Sequence, residues 1–217
     1  MATERVAILL DGGFVKKKLR ESVGRFPATD DVVQLCDDIM AHERLQGLKL
    51  FRVFFYDALP FEGQATNPID SSVVNFSATV QARQNRALLD ALEMLPDFAV
   101  RRGSIIQTGW KLGSAALRNL SQSQRAIEAR DIVPDMEGKG VDLRIGLDIA
   151  TLSLRRIVDT AVLVTGDSDL VPAMKFARRE GLRVYLQSLG HCVRRELKAH
   201  ADYLLPYPAA DTAARQR

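Results

Sequence analysis

Two short runs leave this chain little choice of architecture. Val6-Ala7-Ile8-Leu9-Leu10 and the apolar or β-branched run Val162-Leu163-Val164-Thr165, read as a strand ending at Thr165, show no alternation of polar and apolar residues. A strand made from either must therefore be buried on both faces, which is the situation of a central strand in a parallel sheet covered by helical crossovers. Each run ends in glycine and acid: Asp11-Gly12-Gly13 after the first, Gly166-Asp167-Ser168-Asp169 after the second. Ligands of open α/β sheets bind just beyond the carboxyl ends of the strands. The expectation is a shared acidic pocket that holds a divalent cation.

A chain of 217 residues with 47% hydrophobic residues can bury a sizeable core. One domain is expected over 1–208, with insertion-like segments near 59–75 and 108–138 and a disordered tail over 209–217. The net charge of +3 is compatible with a polyanionic partner without demanding one. Only Cys36 and Cys192 are present, with no paired motif, which argues against a disulfide scaffold and structural zinc. No apolar stretch approaches the roughly 20 residues that span a bilayer, so the reading is a cytoplasmic protein with no membrane contact.

Periodicity supplies the remaining elements. A helical or irregular stretch is expected from Phe14 to roughly Val23, and helices from Thr29 to a stop at Gly47, from Val80 to Leu95, from Lys139 to about Arg156, from Asp169 to Gly181, and over 193–199. Strands are expected over 48–58, 98–107, 183–186 and 203–205. The stretch 59–75, rich in Pro, Gly, Asn and Ser, reads as a loop or insertion. Residues 108–138 hold Trp110, the only tryptophan, and a polar helix-like run over 114–130. A flap, a nucleic-acid-facing insertion and a homodimer contact are the alternatives there.

Within the helix opened by Lys139-Gly140, the apolar stripe Val141, Ile145, Leu152 is interrupted by Asp148. A carboxylate on an apolar stripe is costly unless paired. Either Asp148 meets an arginine such as Arg155 or Arg156, or it faces a metal pocket, and the second reading is preferred. Asp142 either caps the helix start or joins the same pocket. Six residues of ideal helix point Asp142 and Asp148 about 120° apart, so both reach one site only if the first turn is frayed. Lys16, Lys17, Lys139 and Arg144 are candidates for contact with a nucleic-acid backbone. His42, His191 and His200 lie apart from the acids in sequence, which points to surface or packing roles.

Asp11-Gly12-Gly13, Lys139-Gly140-Val141-Asp142 with Asp148, and Thr165-Gly166-Asp167-Ser168-Asp169-Leu170-Val171-Pro172 together resemble the NYN domain family, the PIN-like group that includes LabA-type proteins. Gly181-Leu182-Arg183-Val184 and Ala201-Asp202-Tyr203 are similar as well, so the resemblance runs from about residue 5 to 206. It implies a PIN-like three-layer α/β/α sandwich with a mostly parallel central sheet. It also implies ribonuclease activity that depends on Mg²⁺ or Mn²⁺ and an RNA partner. Carried over by motif, Asp11, Asp142, Asp148 and Asp167 are the metal cluster and Asp169 an adjacent catalytic acid. The family often has Asn three residues after its first Asp, and Phe14 stands there, so that orienting amide is absent. The alternative is a non-catalytic RNA-binding or protein-interaction module of the same fold. A dehalogenase-type phosphatase fits poorly, because Gly13 stands where that chemistry needs a second Asp.

Overall fold

The computed structural model describes residues 3–120 and 125–207. In chain order the elements are β1 (Arg5–Asp11), α1 (Gly12–Val23), α2 (Thr29–Met40), β2 (Lys49–Leu59), β3 (Gln64–Thr66), β4 (Val73–Asn75), α3 (Val80–Glu93), β5 (Phe98–Leu112), α4 (Ser114–Leu120), β6 (Ile132–Lys139), α5 (Val141–Leu154), β7 (Thr160–Val164), α6 (Val171–Arg179), β8 (Arg183–Gln187), α7 (Arg195–Ala199) and β9 (Tyr203–Leu205). The fold is a three-layer α/β/α sandwich with a mostly parallel sheet, in the strand order β6-β5-β2-β1-β7-β8-β9. The anticipated tail over 209–217 lies outside the described residues.

The chain clusters into two compact units: 1–57, 88–102 and 140–217 form the first, and 58–87 with 103–139 the second. In the first, β1 pairs in parallel with both β2 and β7, and the ladder continues through β8 to β9. The two apolar runs that opened the sequence are its centre. Val6 to Leu10 and Val162 to Val164 are buried throughout, as two-faced burial requires. Ala7, Leu9 and Leu163 turn to one face and pack with Ile145 and Ile149 of α5 and Met174 and Ala177 of α6. Val6, Ile8, Leu10, Val162 and Val164 alternate to the other face and are equally enclosed. Each such Leu, Ile or Val stabilises the fold by about 1.5–3 kcal/mol on burial.

Several boundaries differ from the sequence reading. The helix from Thr29 stops at Met40, and a short 3-10 turn over Glu43–Leu45 precedes Gly47. The stretch 59–75 contains an antiparallel hairpin, β3 against β4, whose three-residue strands are too short to show a period. β5 runs on to Leu112 and takes in Trp110, with β6 antiparallel beside it and a register shift between Gln107 and Gly109. Pro134, Asp135 and Glu137 disguise β6 as loop, although such residues suit a strand at the edge of a sheet. In the expected helix over 114–130, helix is present from Ser114 to Leu120. Residues 121–124 lie outside the described residues.

Asp131 anchors the second unit. Its carboxylate accepts from both guanidinium nitrogens of Arg125 at 2.6 and 2.7 Å and from the Glu128 amide at 2.8 Å. The Arg125 guanidinium, followed by the Glu128 amide, holds the Asp131 carboxyl well below the usual carboxylate range. A carboxyl depressed in the folded state contributes stability that is complete above its unfolded value, about 3.9, and is lost as pH falls through the lower folded value. Thermal melts from pH 6 down to pH 2 should therefore show a steeper acid decline for wild type than for Asp131→Asn, which lacks that contribution throughout.

Candidate active site

Parallel pairing brings distant residues to one edge. Leu10 is opposite Val164, Val164 opposite Gln187, and Asp11 opposite Tyr56. The residues that follow β1, β7 and β8 therefore leave the sheet side by side. Asp11 ends β1 and caps α1, its Oδ1 accepting from the Phe14 amide at 3.2 Å. The capping geometry depends on Gly12: a Cβ there would lie 2.6 Å from the Tyr56 carbonyl oxygen and 2.8 Å from the Phe55 ring.

Thr165 ties the first acid to the second. Its fully buried hydroxyl donates to Asp11 Oδ2 at 2.9 Å and accepts from the Asp167 amide at 3.0 Å. Asp167 then caps a 3-10 turn over Ser168–Leu170 by accepting from the Asp169 amide at 2.9 Å. The sequence reading treated Thr165 only as the end of a strand. The available signal was a hydroxyl placed one residue past an all-apolar run, where burial obliges it to find partners.

The electrostatics are those of acids facing acids. Burial raises the Asp11 carboxyl above its ordinary range, against the lowering effect of the Phe14 amide and the Thr165 hydroxyl, and the charges of Asp142 and Asp167 raise it further. Asp142, in the first turn of α5, is raised by burial and then by Asp167 and Asp169. Asp11 thus feels the charges of Asp142 and Asp167, and Asp142 those of Asp167 and Asp169, although these acids come from three segments of the chain. Among the described residues, no three or more His, Cys, Asp or Glu side chains are arranged to hold a metal ion. The donor chemistry nonetheless suits a hard cation: these are carboxylate oxygens whose mutual repulsion a divalent ion would relieve.

Asp148 is held by side chains of two neighbouring strands. It accepts from the Tyr56 hydroxyl at 2.9 Å and from Arg101 Nε at 3.0 Å. Helix α5 runs unbroken from Val141, so the angular separation from Asp142 persists. The partner is an arginine, as one alternative held, but Arg101 of β5 rather than Arg155 or Arg156 of its own helix. Burial, then the Asp148 charge, pushes the Tyr56 phenol up, which keeps it a donor. Tyr56→Phe removes a bond to a charged acceptor and is expected to lower stability by about 1–3 kcal/mol, read as a fall in urea midpoint with an unchanged slope.

The basic candidates divide. Lys16 forms an ion pair with Asp57, and both side chains are largely enclosed, so its ammonium is committed within the fold. Lys139 pairs with Glu137. Arg144 turns back to donate to the Gly140 carbonyl at 2.7 Å. Lys17 is exposed on α1.

His191, expected in a surface or packing role, is exposed and packs edge to face against the Phe14 ring. It lines a cleft of about 450 Å³ together with Asp11, Phe14, Asp167, Ser168 and Arg194. Although far from the acids in sequence, it comes beside them because the end of β8 lies next to the end of β7 in the sheet. His42 instead caps the turn at Glu43 and lies 5.7 Å from the Tyr203 ring.

The NYN domain model matches residues 69–208. A solved protein of unknown function from Vibrio parahaemolyticus is similar in fold, with a TM-score of 0.51 at 18% identity, over 93% of this chain and 91% of that one. None of the curated proteins matches. Among the described residues, no helix is long and apolar enough to cross a membrane.

Proposed function

The chain belongs to the NYN domain family, PIN-like and generally nuclease-like, and from that membership we propose that it is a Mg²⁺- or Mn²⁺-dependent ribonuclease acting in the cytoplasm. The observation that carries this reading is the mutual electrostatic influence of Asp11, Asp142 and Asp167 at the carboxyl edge of the sheet. Enclosing a carboxylate beside other carboxylates costs stability, and such a cost persists where function uses it.

Asp11, Asp142 and Asp167 would hold the cation, with Asp169 as the adjacent acid. A divalent ion bound there supplies an activated water and neutralises charge on a scissile phosphate. The chain's own residues do the rest. Thr165 fixes the orientation of Asp11 while holding the backbone of Asp167. The Phe14 amide fixes the other Asp11 oxygen, so both oxygens of this carboxylate are held. Asp148 keeps α5 against β5 through Arg101 and against β2 through Tyr56, which indirectly sets the height of Asp142. The exposed cation of Lys17 is available to an RNA backbone.

A second reading, an RNA-binding module without catalysis, is favoured by Phe14 at the position of the family's orienting Asn. Cleavage of an unstructured RNA, followed with Mg²⁺ or Mn²⁺ and with chelator, separates the two. Metal-dependent cleavage by wild type that is lost in Asp11→Asn and Asp167→Asn supports the nuclease. RNA binding with no cleavage under any metal supports the module.

A further inference from the structure

The cleft has a second wall that the acids do not explain. The Phe14 and His191 rings meet edge to face at 5.9 Å between centroids. Both close on Gly166, where an added Cβ would lie 2.7 Å from the Phe14 ring and 2.9 Å from the His191 ring. The approach of His191 is built into the backbone. Its amide closes a turn onto the Ser188 carbonyl at 2.8 Å, and Leu189 and Gly190 between them carry φ values of 48° and 73°. A left-handed leucine costs on the order of 1–2 kcal/mol, so the turn is held in place by its surroundings. Beyond it, the exposed Arg194 lines the same cleft, with a guanidinium nitrogen 3.5 Å from the Ser168 hydroxyl.

We propose that this wall is the substrate-binding half of the site: an unpaired nucleotide of RNA lays its base against Phe14 and His191 while Arg194 takes an adjacent phosphate. The inference rests on the ribonuclease reading and names its substrate class as single-stranded RNA. Three features argue for it. Aromatic rings beside a cation are the usual means of holding unstacked bases without regard to sequence, since every base has a π face. A guanidinium fits phosphate oxygens and offsets the repulsion that the acids exert on a polyanion. A duplex keeps its bases stacked inward, out of reach of rings set in a cleft. On this account Phe14 exchanges the family's orienting amide for a stacking surface.

Fluorescence anisotropy with a short labelled unstructured RNA tests the proposal, using Ca²⁺ in place of Mg²⁺ so that the probe is not consumed. Wild type should bind the single strand at least about tenfold more tightly than the same sequence in a duplex. Phe14→Leu should weaken binding about 5–100-fold with an unchanged salt dependence. Arg194→Ala should weaken it several-fold and reduce the slope of log K against log salt by about 0.7, with Arg194→Lys restoring the slope. Arg194 is exposed, so its variants fold even if Phe14→Leu does not. Equal affinity for single strand and duplex, or Arg194→Ala binding as wild type, overturns the proposal. Weakened binding in both variants with no cleavage by wild type under any metal would leave the wall standing and remove the nuclease.

Discussion

Asp167→Asn protein supplied with Mn²⁺ is expected to cleave single-stranded RNA on the order of 10²–10³-fold more slowly than wild type, and Asp11→Asn at least as slowly. The substitution keeps size and the cap on the Asp169 amide while removing the charge. Thr165→Val, which deletes the hydroxyl that orients Asp11 and holds the Asp167 amide, should lose about 10–100-fold. Stability should move the other way. A carboxyl whose folded value is raised binds more protons in the native than in the unfolded state. Stability therefore falls as pH rises from the unfolded value through the folded one, and the full cost is present at neutral pH. For Asp11 the rise comes first from burial, so metal-free Asp11→Asn should melt at or above the wild-type temperature near pH 7. Adding Mn²⁺ should reverse that order. Ligand at a hundred times its dissociation constant stabilises the wild type by about 2.7 kcal/mol, whereas the Asn variants should barely respond. A wild type whose melting temperature ignores Mn²⁺ and Mg²⁺ would remove the metal from the mechanism.

Gly12→Ala is the second large effect, this time on the fold. The added Cβ would sit 2.6 Å from the Tyr56 carbonyl, 2.8 Å from Phe55 Cε1 and 2.9 Å from Asp57 Cβ. Two of those atoms belong to the backbone or the Cβ of a buried strand, which cannot swing aside as a long side chain can. Overpacking of this kind costs about 1–3 kcal/mol and sometimes more, and here the upper end is expected, near 3 kcal/mol. For a chain of this size that lowers the melting temperature by about 6–12 °C. Gly13→Ala is the matched control. Its Cβ would meet nothing closer than Asp11 Oδ1 at 3.6 Å, and alanine favours a helical position by up to about 1 kcal/mol over glycine. Equal melting temperatures for the two variants would show that β2 yields to α1 and that Gly12 is not what sets their approach.

Much of this protein was readable before any coordinates. The two apolar runs announced the central strands because burial on both faces abolishes alternation, and the acids behind them marked the edge where ligands bind. β6 was missed for the converse reason. An edge strand carrying Pro134, Asp135, Glu137 and Gly138 has no buried face to impose a period, and its pairing with β5 is a long-range matter that no local window contains. The register shift near Gly109 hid the second half of β5 in the same way.

The site divides along a similar line. Asp11 and Asp167 follow from local rules, because a carboxylate just past a buried strand caps the turn that comes next. The fate of Asp148 did not. Sequence could say that an acid on an apolar stripe must have a partner, yet the partners it meets, Tyr56 and Arg101, are ones that only the packing of α5 against β2 and β5 delivers. His191 and Arg194 likewise reach the acids because β8 lies beside β7, a neighbour relation set by the sheet. The amino-acid sequence by itself determined which segments are buried and which chemistry they carry to their ends. Tertiary structure alone decided which of those ends meet, because a hydrogen-bonded ladder joins strands far apart along the chain, and a charge is placed by what it finally faces.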